Sequence, residues 1–211
     1  TAADRQRLNF LSGGFAPAGD GNYGGWLQGY GAVGKMNDRG NSANWRFAGI
    51  AAGVDRQIAS DTLAGIALGH ARGRTDMDPN EAEARTRLWQ VSAYGAHRDG
   101  PWQIQGQTGY ALARTDAHRT ALFAGVPTRL DADYDTHILS ARAEGGHDFT
   151  FKNTKDRTVV VTPLAGFDYA WARQESFTES GGPGLRFSDD DTTSLRTSLG
   201  LRATAHHALE N

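Results

Sequence analysis

Two Asp-x-His pairs, Asp116/His118 and Asp135/His137, set a carboxylate and an imidazole two residues apart. On an extended strand both would lie on one side, where the acid could orient the imidazole as a general base. The chain has seven histidines, and such an isolated pair is more often a solvated loop feature. His206-His207 would make a poor metal site, because neighbours on a strand point in opposite directions. Zero cysteines removes thiol nucleophiles, disulfide frameworks and Cys-based zinc sites together. The chain is therefore read as no enzyme, with no catalytic residue, metal or cofactor expected.

A second group of charges follows a different logic. Asp55, Arg142, Glu144, Asp148, Asp168, Arg196 and Arg202 fall within runs that alternate apolar and polar residues, each on the polar side of its run. A midplane Arg against lipid would cost roughly 2–4 kcal/mol, so such residues must turn away from hydrocarbon. One reading makes them the lining of a polar, hydrated pore whose mixed signs hold its contents weakly. The other lets them pair with one another and stiffen a wall. Gly49, Gly53, Gly69, Gly109 and Gly166 share these polar faces and would leave room for a helix or a passing chain.

The elements that must position these residues are strands. From Trp26 onward the dominant signal is period-two alternation, repeated about eight times with turn residues between the runs. In the run 102–114, Trp102, Ile104, Gly106, Thr108, Tyr110 and Leu112 alternate with Gln103, Gln105, Gln107, Gly109, Ala111 and Ala113. The other strands are placed at 24–33, 45–57, 62–74, 85–97, 136–149, 158–173 and 193–205. A soluble β-sandwich would alternate as well, but runs this long exceed the usual globular strand of about 5–6 residues. Trp26, Trp45, Trp102, Phe149 and Trp171 fall near strand ends, where membrane interfaces favour such rings.

Composition narrows the class. A length of 211 residues fits one domain. The net charge of -2, without a basic tract, argues against a nucleic-acid partner. The longest apolar stretches, such as 47–54 and 63–68, fall far short of the roughly 20 residues a spanning helix needs. A mean hydropathy of -0.55 does not exclude a membrane, because a barrel strand shows lipid only every second residue. The opening segment has no apolar core of a signal peptide, and the chain is read as mature or cut from something longer. Residues 1–22 are divided into a short helix, with Thr1 as cap and Gly13-Gly14 as stop, and a linker; the strands occupy 23–211.

Connections alternate in length. Long loops are expected at 34–44, 75–84, 115–133 and 174–191, and short turns at 58–61, 98–100 and 152–157. Outer-membrane barrels have short periplasmic turns and longer extracellular loops. The first strand then runs outward, and the N-terminal helix joins it from the periplasmic end.

The run Gly25-Trp26-Leu27-Gln28-Gly29-Tyr30-Gly31, the segment Gly49-Ile50-Ala51-Ala52-Gly53-Val54-Asp55 and the run Leu63-Ala64-Gly65-Ile66-Ala67-Leu68-Gly69-His70 resemble the opening strands of autotransporter β-domains. Ala93-Tyr94-Gly95 and Pro163-Leu164-Ala165-Gly166 continue the resemblance, which departs from the commonest form at His70. It implies an all-β, antiparallel up-and-down transmembrane barrel of twelve strands with a helix in its pore, of which about eight strands are present here, cut short before the last ones. It also implies a translocator of the outer membrane of a Gram-negative bacterium, secreting its own passenger domain by the type V route. Outer-membrane lipid, the barrel assembly machinery and periplasmic chaperones would be its further partners. Self-cleavage at paired asparagines, known in some members, is not expected because Asn9 stands alone. The alternative is a small structural or enzymatic outer-membrane barrel.

Overall fold

The computed structural model describes residues 23–38, 41–78, 82–154 and 157–207. The expected helix at 1–22 lies outside them. Eight long strands carry the fold: β1 (Tyr23–Asp38), β2 (Asn41–Ala59), β3 (Thr62–Asp78), β4 (Ala82–Asp99), β5 (Trp102–Phe123), β6 (Val126–His147), β8 (Arg157–Gln174) and β11 (Asp190–His207). Between them lie the short β7 (Phe149–Thr154), β9 (Phe177–Thr178) and β10 (Arg186–Phe187). The main sheet is antiparallel throughout in the order β1-β2-β3-β4-β5-β6-β8-β11, with β7 continuing the line of β6 beside β8. No helix among the described residues is long and apolar enough to cross a membrane, which says nothing of strands.

Each of the eight expected strands lies within an observed one, except that the sixth is interrupted. Residues 136–149 were expected as one run, but β6 ends at His147 and β7 begins at Phe149. At the break, Asp148 turns from the ladder into a polar cluster, and its N–H bonds the Pro101 carbonyl at 2.8 Å. The strands also overrun their expected ends on the loop side. The segment 115–133 is no loop: β5 and β6 pair in register from Trp102↔His147 to Phe123↔Val126. Ala124 and Gly125, at φ 49° and 82°, close them in a two-residue turn of the kind that needs both central residues left-handed. Backbone pairing persists after the apolar alternation has stopped, so the change in side-chain pattern does not mark the end of the strand.

The register sorts every long strand into two faces. On one lie Leu27, Ile50, Val54, Ile66, Leu68 and Trp89, and further round Ile104, Leu139, Phe167, Leu195 and Leu199, all at least partly uncovered. Leu199 is 89% exposed, and a soluble protein would bury such a face against a second layer. Instead the few buried residues, among them Gln28, Ala71, Ser92, Ala111 and Thr115, lie on the opposite, polar face.

That polar face is drawn inward by a long-range hydrogen-bond chain. Trp26 of β1 donates from Nε1 to Tyr94 Oη of β4 at 2.6 Å, and Tyr94 donates to Asp55 Oδ2 of β2 at 3.0 Å. Trp26 and Tyr94 are three inter-strand gaps apart, about 14 Å in a flat sheet. They meet because each ring lies across a glycine: a Cβ on Gly53 would stand 2.5 Å from the indole, and one on Gly65 2.5 Å from the phenol. Gly53→Ala should push the indole aside, break the 2.6 Å bond and cost about 1 kcal/mol. A red-shifted tryptophan emission with a lowered unfolding midpoint would register it; unchanged emission would show that the glycine is not needed.

The cylinder is not closed. β1 and β11 remain the two edges of the sheet and do not pair. An eight-stranded barrel has room for side chains alone.

Candidate functional site

All seven charges singled out in the sequence fall on the polar face. Across β6, β8 and β11, Arg142, Asp168 and Arg196 stand opposite one another in register, so signs alternate along the row. Arg142 Nε lies 3.3 Å from Asp168, and Arg202 lies 3.9 Å from Glu144, which also accepts from Gln105 at 2.9 Å. Nearer the short turns, Asp148 gathers Arg98 at 2.8 Å, Thr162 at 2.6 Å and Gln103 at 3.4 Å. Asp55 sits apart, on the Tyr94 hydroxyl.

These groups pair, yet they are not sealed. The side chains of Arg142 and Asp168 are 47% and 37% exposed. Half-exposed pairs in water contribute little stability. The two readings of the charges are thus compatible: neighbours neutralise one another while each head keeps contact with solvent.

The glycines of the polar face differ in what covers them, and Gly109 and Gly166 meet the hydroxyls of Ser92 and Ser198 at 2.9 and 3.0 Å from where a Cβ would stand. Gly49 and Gly53 are roofed by the rings of Tyr30 and Trp26, whereas around Gly69 ordinary contacts begin only at 3.7 Å. Trp26 and Trp45, expected at membrane interfaces, also lie on this inward face, Trp45 against Gly34 and stacked on Phe47. Trp102 and Trp171 are on the apolar face as anticipated. The parity of Trp26 with Gln28, and of Leu27 with Val33, carried the signal that placed Trp26 inward. Tyr94, Gln105 and Thr162 belong to the polar network and were not singled out, since a neutral side chain breaks no hydropathy rule.

In neither Asp-x-His pair does the aspartate hydrogen-bond its own histidine. Asp116 accepts from Arg87 at 2.7 Å and faces Asp133, while Asp135 is held by Arg114 at 2.9 Å. The Arg87 guanidinium holds the Asp116 carboxyl below its usual range, and the hydrogen bond that Asp133 donates to Asp116 pushes Asp133 above it. His137 bridges Tyr110 and Glu175 at 2.6 and 3.0 Å. No group of three or more His, Asp or Glu able to hold a metal occurs among the described residues.

Beyond the sheet, a small lid covers the tall β5–β6 hairpin. β9 and β10 pair with each other, and Ser180 bridges to Asp131. Phe177 stacks between Tyr134 and Phe187, with ring centroids 4.6 Å apart on both sides. Arg119 grips Glu179 through two bonds of 2.6 and 2.8 Å, and Glu179 also accepts the Leu185 N–H. No local pattern predicted this clamp, whose partners are 60 residues apart.

Three comparisons bear on this architecture. The family model described as Autotransporter beta-domain matches residues 25–211. A search of curated proteins finds no sequence match. Among solved structures, the translocator domain of the autotransporter NalP from Neisseria meningitidis superposes with a TM-score of 0.67 at 18% identity, over 95% of this chain and 65% of that one. The β domain of the Bordetella autotransporter Brka gives 0.60 at 23% identity, over 86% of this chain and 70% of that one. The chain thus spans somewhat less than two thirds of the NalP domain.

Proposed function

Because the chain belongs to the autotransporter β-domain family, we propose that it is the outer-membrane translocator part of such a protein and carries its own N-terminal passenger to the surface of a Gram-negative cell. The observation that carries this reading is the sidedness of the sheet. Apolar side chains uncovered on one face suit hydrocarbon, and seven charges on the other, of which Arg142 pairs with Asp168 and Arg202 with Glu144, suit a polar lumen. Asp55, Arg142, Glu144, Asp148, Asp168, Arg196 and Arg202 are proposed to line that lumen. Alternating signs with neighbours already paired would pass an extended polypeptide without binding it tightly.

Two requirements follow. An open sheet edge cannot face hydrocarbon, so the working form must join β11 to β1, directly or through further strands. Passage of a chain favours further strands, because an eight-stranded cylinder would be filled by its own side chains. Outer-membrane lipid, the barrel assembly machinery and periplasmic chaperones are the partners such a life cycle implies. No catalytic role is proposed, since the Asp-x-His carboxylates are engaged by arginines.

The direct test is protease treatment of intact Gram-negative cells making the full-length protein. Digestion of the segment ahead of the barrel, with the barrel itself protected, is the expected result. A protected segment together with a correctly inserted barrel would sink the secretion reading.

A further inference from the structure

The apolar face carries a feature that secretion does not use. Following this face toward the long-loop end, the first charged residue is a cation on six of the eight long strands: Lys35, Arg46, Arg72, Arg87, Arg114 and Arg173. On the other two it is Asp135 and Asp191. At the turn end there is no such run: beside Arg56 the next strands present Ala64 and Gly95.

Within this collar like charges stand directly opposite. Arg46 faces Arg74, Arg74 faces Arg85, Arg72 faces Arg87 and Arg87 faces Arg114. Such pairs destabilise a sheet unless something neutralises them. Carboxylates do so for four of these residues: Asp76 and Glu83 hold Arg74, Glu83 holds Arg85, Asp116 holds Arg87 and Asp135 holds Arg114. Arg46 and Arg72 have no carboxylate within salt-bridge reach among the described residues, and both are exposed. They lie on adjacent strands, with Arg72 diagonal to Arg46 across the pair, a separation of about 7–8 Å that long side chains can close on one anion.

We propose that Arg46 and Arg72 form a binding site for the phosphate of a phosphorylated lipid headgroup in the leaflet on the loop side. This rests on the membrane-embedded reading above. The anion is assigned to a lipid because of what lies next to the pair. Ala48 and Ile50 continue the face below Arg46, and Leu68 and Trp89 flank it on the next strands, all within the uncovered apolar belt. A molecule with a phosphate beside the guanidinium groups and hydrocarbon against that belt satisfies both, which a free anion does not. Guanidinium is well suited to phosphate, presenting two parallel donors.

The test uses the full-length protein folded in uncharged detergent. It is titrated with a bis-phosphorylated glucosamine-disaccharide lipid, with the same lipid stripped of phosphate, and with inorganic phosphate. The double variant Arg46→Gln/Arg72→Gln should bind the phosphorylated lipid about thirtyfold more weakly, while Arg56→Gln should bind like the parent. The stripped lipid should bind weakly to all three. Equal affinity of parent and double variant, both showing the heat-modifiable migration of a folded barrel, would overturn the site. So would equal binding of the stripped lipid, or displacement by inorganic phosphate at concentrations matching the lipid. A parent protein that never acquires heat-modifiable migration in detergent or vesicles would instead overturn the membrane reading, and the site with it.

Discussion

Leu68→Arg should lower the stability of the full-length barrel in lipid vesicles by about 2–4 kcal/mol, and Gln105→Arg should leave it within about 0.5 kcal/mol. Both introduce the same side chain within a paired strand, at the middle of β3 and near the turn end of β5. Leu68 is 67% exposed on the apolar face of β3, where a guanidinium would meet hydrocarbon. Gln105 is on the opposite face of β5, donating to Glu144 at 2.9 Å, and an arginine there would find that carboxylate ready. Urea unfolding followed by loss of heat-modifiable migration measures the two differences side by side. If both variants lost equal stability, the two faces would be meeting the same solvent and the membrane assignment would fail.

Arg119→Ala should release the lid while leaving the barrel folded. The Glu179 side chain is 6% exposed, and Arg119 supplies its two shortest bonds. Removing the guanidinium strands a carboxylate in a dry site, at a local cost of about 1.5–3 kcal/mol. Hydrogen exchange in β9 and β10, and cleavage between Glu175 and Asp189, should then rise sharply, with β1–β4 unaffected. The same clamp makes the lid sensitive to acid. Arg119, with help from the Leu185 N–H, holds the Glu179 carboxyl below its ordinary range. A depressed carboxylate contributes stability above its unfolded pKa and loses it as pH falls through the folded value. Lid protection should therefore persist at neutral pH and fade below the usual glutamate range. Protection that does not change over that span would mean that the aromatic stack, and not the ion pair, holds the lid.

The faces of the strands were legible in the sequence, because alternation between two solvents is written into every second residue. The polar-face placement of Arg142, Glu144 and Arg202 followed from charge alone. Strand ends were not legible in this way: residues 115–123 and 126–133 stay paired where no hydropathy signal marks the ladder. The inward positions of Trp26 and Trp45 are not legible for a different reason. An aromatic ring suits either a membrane interface or a glycine-floored groove, and the choice between them rests on neighbours one strand away. The clamp of Arg119 on Glu179 and the break at Asp148 depend on residues brought together by tertiary folding, beyond the reach of any local period.

Each long strand pairs with the next long strand along the chain, and all seven of those pairings are antiparallel. A slip of one residue at any hairpin would turn a whole strand over. In β3 it would send Leu68 and Ile66 to the hydrated side and deliver the small residues Gly69 and Ala67 to lipid. The error is thus penalised at every residue of the strand at once, not at a single contact. Proofreading of alignment is in this way distributed along the full height of the wall, so a misaligned intermediate is unstable before the next hairpin docks.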